Sequence, residues 1–250
     1  LMYTDGITVY TRTHTVMANG TSLLGNFSTA QSAVIVKQPG NTNMYYIFTM
    51  GAGNSGTLNF SVVDMNLAAG MGSVTVKNSY LYGPCLEKLT AVKHSNNQDV
   101  WVLVHENGNS INFRAYLLTS TGVSTTAVIS SVGGSGSSQS IGYLRASPNG
   151  QHIASAYYGS QAIELYDFNR STGVLSNPLL LSASTGFYGC EFSPDGTKLY
   201  ASNPGRIYQW SICAGSSTAI AASVHTISAS SNWAMQLAGD GSRGQKITAP

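Results

Sequence analysis

Residues 187–212 read Phe-Tyr-Gly-Cys-Glu-Phe-Ser-Pro-Asp-Gly-Thr-Lys-Leu-Tyr-Ala-Ser-Asn-Pro-Gly-Arg-Ile-Tyr-Gln-Trp-Ser-Ile. This is the pattern of three short strands joined by tight turns. In Ser193-Pro194-Asp195-Gly196, proline presets φ for a type I turn and glycine lets the chain leave it with φ above zero. Asn203-Pro204-Gly205 repeats that logic one strand later. A meander of three strands is marginally stable alone, so it must pack against copies of itself.

The copies are present. Working outward, strands are expected over 31–37, 44–50, 57–64 and 72–77, then 88–93, 99–105, 111–118 and 126–129. They continue over 142–146, 152–157, 162–168 and 178–181, and the opening stretch follows with 219–226 as its outer strand. Asp5-Gly6 predicts a two-residue hairpin turn between 1–4 and 7–11, and a last unit starts at 233–238. Gly150 to Gly196 is 46 residues, Gly196 to Gly241 is 45, and Ser95 to Ser147 is 52. Four-strand units of about 40–50 residues are the signature of propeller blades.

The expected fold is therefore all-β: one β-propeller domain over 1–250 built of four-stranded antiparallel blades. Four blades are whole, at 31–77, 88–129, 142–181 and 188–226, with partial blades at 1–25 and 233–250. The two terminal pieces both read as second strands, so the chain is expected to be part of a ring of six or seven blades. Each blade carries apolar residues on both faces, as in Leu199 and Ala201 against Tyr200, so the blades must stack face to face. Tyr45, Tyr46, Trp101, Tyr157, Tyr166, Tyr200, Tyr208 and Trp210 are expected in that packing.

Composition narrows function by exclusion. Only 9% of residues are charged, and 12 Lys and Arg against 10 Asp and Glu give a net charge of +2. No basic run offers the counterion release that nucleic acid binding needs, so nucleic acid is not an expected partner. No apolar run approaches the roughly 18 residues of a membrane span. The three cysteines are expected to be buried or half-buried, with Cys190 and Cys213 two strand spacings apart, about 9–10 Å, too far to be bridged. The segment 1–6 has neither the charged nor the apolar region of a targeting signal.

The Ser-Pro-Asn/Asp-Gly-x-x-hydrophobic-Ala-Ser pattern at 147–155 and 193–202 resembles the YVTN and lactonase-like β-propeller repeats. A second resemblance rests on longer phrases. They are Tyr3-Thr4-Asp5-Gly6-Ile7-Thr8-Val9-Tyr10, Met17-Ala18-Asn19-Gly20, Tyr45-Tyr46-Ile47-Phe48-Thr49, Ser61-Val62-Val63-Asp64-Met65, Glu87-Lys88-Leu89-Thr90-Ala91-Val92-Lys93-His94 and Tyr116-Leu117-Leu118-Thr119. In that order they look like the propeller regions of large surface proteins exported by the type IX secretion system of gliding bacteria, whose members carry gliding-motility-associated C-terminal domains. The likeness spans about 1–237. It departs after that, where Gly239-Asp240-Gly241-Ser242-Arg243 replaces the family's Gly-Pro-Asp-Gly-Lys-Ile-Tyr. The resemblance implies an extracellular, bacterial cell-surface location, with other surface or secretion-system proteins or an extracellular polymer as partners.

For chemistry the sequence is sparse. His14, His94, His105, His152 and His225 are scattered over different blades with no metal-ligand spacing, no Gly-x-Ser-x-Gly elbow occurs, and no metal or cofactor is expected. The glycine-rich stretch 133–136 leads into no helix and is expected to be an inter-blade loop. The side chains of interest are polar residues on first strands, which line the axis of a propeller: Gln31, Glu87, Lys88, Arg145, Glu191 and Gln236. The charged ones are expected to pair with one another or with a ligand. The leading expectation is a non-catalytic module serving adhesion, polymer or protein binding, or surface assembly. The alternative is a lactonase-like hydrolase or a lyase acting at the channel mouth.

Overall fold

The computed structural model describes residues 2–134, 141–182, 185–229, 233–237 and 247–248. In chain order the strands are β1 (Tyr3–Thr4), β2 (Val9–Tyr10), β3 (Ala33–Lys37), β4 (Met44–Met50), β5 (Gly56–Asp64), β6 (Ser73–Lys93), β7 (Val100–Glu106), β8 (Asn112–Thr119), β9 (Gly122–Val123) and β10 (Val128–Ser131). There follow β11 (Leu144–Ala146), β12 (His152–Tyr157), β13 (Ala162–Asn169), β14 (Val174–Ser182), β15 (Cys190–Phe192), β16 (Lys198–Asn203) and β17 (Arg206–Ser211). Helix α1 (Ser217–Ala222), β18 (His225–Ser228), β19 (Gln236–Leu237) and β20 (Ile247–Thr248) complete the chain. Residues 135 and 136 of the expected loop at 133–136 and most of the last unit lie outside the described residues.

The fold is a β-propeller of four-stranded antiparallel blades. β11 to β14 form one sheet in sequence order, and β15 to β18 form another. The first two blades are fused, because β6 is a single strand of 21 residues where two separate strands were expected. Its first part pairs with β5 and its second with β7, and Cys85 is the pivot, opposite both Gly56 and Glu106. The outer strand of the first blade thus becomes the inner strand of the second without an intervening loop.

Both faces of each middle strand are buried, but in different places. On β7, Trp101 and Leu103 enter the core shared with the third blade, while Val102 and Val104 enter the core shared with the first. On β12, Ile153 faces the second blade, while Ala154 and Ala156 face the fourth. A period of two with both phases apolar forces sheets to stack face to face. Tyr46, Trp101, Tyr157, Tyr166 and Trp210 are buried in these seams, whereas Tyr45, Tyr200 and Tyr208 are half-buried.

The repeated turn is also physical. Ser193 Oγ donates to Asp195 Oδ1 (2.6 Å) and accepts from Lys198 N (2.9 Å), with Gly196 at φ +72°. Ser147 Oγ does the same with Asn149 Oδ1 (2.7 Å) and His152 N (2.9 Å), with Gly150 at φ +71°. The Ser193 hydroxyl and then the Thr197 N–H hold the Asp195 carboxyl low, at about 2.

Three local expectations are corrected. The segment 217–222 is a helix, because Ser216 Oγ accepts from Ala219 N (3.2 Å) and caps a run of alanines; the outer strand begins only at His225. The N-terminal hairpin closes through four residues, since Thr4 pairs with Val9 and Asp5 Oδ1 accepts from both Ile7 N and Thr8 N. Cys213 is exposed, because it follows the end of β17; Cys85 and Cys190 are buried, and all three are free.

Candidate functional site: the axial cleft

The inner strands meet at the axis. Gln31, just before β3, bridges three blades: its Oε1 accepts from Leu89 N (3.1 Å) and Leu144 N (2.7 Å), and its Nε2 donates to Leu144 O (3.0 Å). Tyr143 N donates to Tyr188 O (2.8 Å), which ties the third blade's inner edge to the fourth's. Above this seam lies a cleft of about 420 Å³, lined by residues from β3, the end of β6 and β11 and by Asp5 of the N-terminal loop. Gln31, Thr90, Tyr143 and Arg145 supply its polar wall.

Arg145 is the cation of this cleft. It lies in β11, with Nε 3.3 Å from Glu191 Oε2 on the neighbouring β15 and its guanidinium 5.0 Å from the Tyr143 ring centre. The Glu191 side chain retains 14% of its surface, so water reaches it. Burial pushes its carboxyl above the usual carboxylate range, against the opposing pull of Arg145. A carboxylate with raised proton affinity beside a fixed cation suits proton transfer next to a developing negative charge.

The other expected axial residues behave differently. Glu87 is buried, with Oε2 accepting from Ala30 N (2.7 Å) and Oε1 from Gly53 N (2.8 Å), so it pins two loops. Lys88 is completely buried and forms no ion pair among the described residues; Nζ donates to Gly142 O (2.9 Å) and to Ala156 O, and sits 4.4 Å from the Tyr157 ring centre. Of the expected pairing with another axial charge or with a ligand, the first is not met among the described residues: two backbone carbonyls of the third blade are the acceptors instead. Gly142 allows that approach, since a Cβ would meet Ala156 O at 2.6 Å. Burial pulls the Lys88 ammonium down to about 7. Gln236 lies on the two-residue β19, exposed, and joins none of these contacts.

Sequence reasoning missed the polar group around Lys88. His105, Tyr157, Glu164 and Tyr166 are all buried between the second and third blades. His105 Nδ1 donates to Glu106 O (2.7 Å), the Tyr157 and Tyr166 hydroxyls are 3.2 Å apart, and Tyr166 donates to Glu164. The available signal was Glu164 itself, a carboxylate at a buried phase of the apolar run Ala162-Ile163-Glu164-Leu165. It missed Tyr143 and Asp5 as well, because the residues flanking inner strands carry no sequence mark. Among the described residues no group of three or more His, Cys, Asp or Glu converges as a metal site requires. No helix among them is long and apolar enough to cross a membrane.

No protein-family profile and no curated protein matches the sequence. Solved structures do resemble it. A Bacteroides fragilis protein provisionally named a 6-phosphogluconolactonase superposes with a TM-score of 0.54 at 12% identity, over 88% of this chain and 63% of that one. The chain therefore spans less than two thirds of that relative's length, and the likeness carries the fold. The periplasmic gluconolactonase PpgL of Pseudomonas aeruginosa gives 0.48 at 12% identity, over 98% of this chain and 69% of that one. A Bacteroides uniformis protein, also provisionally named a 6-phosphogluconolactonase, gives 0.46 at 12% identity over 94% and 81%. The expectation of a non-catalytic module is corrected on this point: the propeller that this chain matches in fold is named for an enzyme.

Proposed function

We propose that the protein is a lactonase-like hydrolase that opens a sugar lactone in the axial cleft. The observation that carries this reading is the Arg145 and Glu191 pair, set on adjacent inner strands with Arg145 in the cleft wall. Glu191 takes a proton from water as the water oxygen bonds to the lactone carbonyl carbon. The charge that develops on the carbonyl oxygen is met by the Arg145 guanidinium. The ring C–O bond then breaks, the leaving oxygen takes the proton from Glu191, and a hydroxy acid results. The fold shared with a protein named as a lactonase supports the substrate class by analogy.

The test is a pH-stat assay with gluconolactone and 6-phosphogluconolactone, corrected for spontaneous opening. Glu191→Gln is expected to lower the rate by about 10²–10⁴-fold. Arg145→Met is expected to lower it by about 10²–10³-fold. Because burial raises the Glu191 carboxyl above its ordinary value of 4.5, the wild-type rate falls as pH drops through a point above that value. Turnover no faster than the spontaneous reaction on both lactones overturns the proposal. An extracellular location is proposed on the phrase resemblance alone; recovery of the native protein only from cytosol would overturn that part.

A further inference from the structure

The last residue of each inner strand occupies one structural position. Lys37 pairs with Tyr45, Lys93 with Val100, Ala146 with Ile153 and Phe192 with Leu199. In each blade the next residue's N–H donates across the turn: Gln38 to Met44 O (3.0 Å), His94 to Asp99 O (2.8 Å), Ser147 to His152 O (2.9 Å) and Ser193 to Lys198 O (2.9 Å). At this position the fourth blade buries Phe192 completely in its seam, and the third packs Ala146 against another. The first and second blades instead place exposed lysines.

The seams open where those lysines stand. Between the first and second blades is a groove of about 790 Å³ lined by Lys37 and Lys93, and between the second and third a cavity of about 460 Å³ lined by Lys93 and Arg170. Ala91 lines both, and the axial cleft as well. Among the described residues no Asp or Glu lines either inter-blade space. The nearby Asp99 carboxylate is held by Asn96 Nδ2 (2.8 Å), and Arg170 is spent on Lys93 O, His94 O and Asn97 Oδ1. Lys37 and Lys93 form no ion pair among the described residues.

We propose that this turn-side groove binds an acidic saccharide, with Lys37 and Lys93 on successive blades pairing its carboxylates. Two ammonium groups on separate blades suit a chain with one carboxylate per sugar, whereas a duplex nucleic acid, with one charge per about 1.7 Å of axis, asks for a denser cationic array. Gln98 and Thr42 add an amide and a hydroxyl to the first groove, partners for sugar hydroxyls. The groove stands independently of the lactonase reading, since neither lysine lines the axial cleft.

Calorimetric titration of the full chain with polygalacturonate at low salt tests the proposal, with neutral galactan, poly-glutamate and inorganic polyphosphate as comparisons. Polygalacturonate is expected to bind best, and more weakly as salt rises. The Lys37→Gln/Lys93→Gln double variant is expected to bind about tenfold more weakly. Lys77→Gln, which removes a half-buried lysine bound to Thr21 O and outside both grooves, is expected to bind as the wild type does. Unchanged binding in the double variant, equal binding of galactan, or tighter binding of poly-glutamate or polyphosphate overturns the proposal. Because this readout is binding and the lactonase readout is turnover, either can fail without the other.

Discussion

The seam between the third and fourth blades and the seam between the second and third are built from the same strand positions and hold opposite contents. Away from the Arg145 and Glu191 pair at its axial end, the first is apolar: Ala154, Ala156, Ile163, Phe187, Phe192, Leu199 and Trp210 are all buried, with Phe187 and Trp210 edge to face at 5.9 Å. The second combines an apolar cluster around Trp101, Phe113 and Phe168 with the buried polar group of Lys88, His105, Glu164, Tyr157 and Tyr166. The difference teaches where this fold tolerates charge. Near the axis the backbone carbonyls of Gly142 and Ala156 hold the lysine. Farther out the strands are fully paired, and the seam is filled with apolar side chains.

The largest expected effect lies in the apolar seam. Trp210 is completely buried, and its Nε1 has no hydrogen-bond partner among the described residues, so its contribution is packing. Trp210→Ala is expected to cost about 3–5 kcal/mol in urea unfolding. A loss below about 1 kcal/mol would mean that the seam can collapse around the cavity, and that the contrast between seams is not energetic.

The polar seam is expected to reveal itself through pH. Burial pulls Lys88 down to about 7 from 10.5, so between those values the unfolded chain carries a proton that the folded chain lacks. Stability therefore rises with pH from about 7 upward. His105, pulled by burial to about 4 from 6.5, acts with the same sign across that lower window. Cys85 and Cys190 act oppositely above their ordinary value of 9.0, because burial pushes both thiols up to about 12. The window that isolates Lys88 is thus pH 7 to 9. Wild-type stability is expected to climb there, and Lys88→Met to flatten the climb while leaving the His105 limb below pH 6.5 in place. Parallel curves for the two proteins would show that Lys88 is not the group that titrates.

This contrast marks what was legible in the sequence. Alternating apolar phases and the Ser-Pro-Asx-Gly turns are local, so the blades and their stacking could be read from residues such as Leu199, Tyr200 and Gly196. The placement of Arg145 and Glu191 on matching inner strands followed from the repeat. Which acceptor Lys88 would choose did not, because the competition between a carboxylate and a bare carbonyl depends on distances that no spacing encodes. The fused β6 was hidden for a similar reason: Gly83-Pro84 reads as a chain break, and only the change of partner at Cys85 keeps it in the sheet. Helix α1 was misread because a short alanine-rich run fits either structure until its cap is seen.

The smallest expected effect tests whether the two seams also differ at their rims. Ser130 of β10 accepts from Leu175 N of β14 (2.9 Å), a side-chain link between the outer strands of the second and third blades. Ser130→Ala removes the acceptor and leaves the buried Leu175 N–H unpaired, for an expected loss of about 1 kcal/mol. Hydrogen exchange at Leu175 is the sharper readout, because the amide should lose protection while those of β12 keep theirs. Equal loss of protection in both strands would mean that this rim contact holds the whole third blade, and the polar seam would then be the weaker of the two along its full depth.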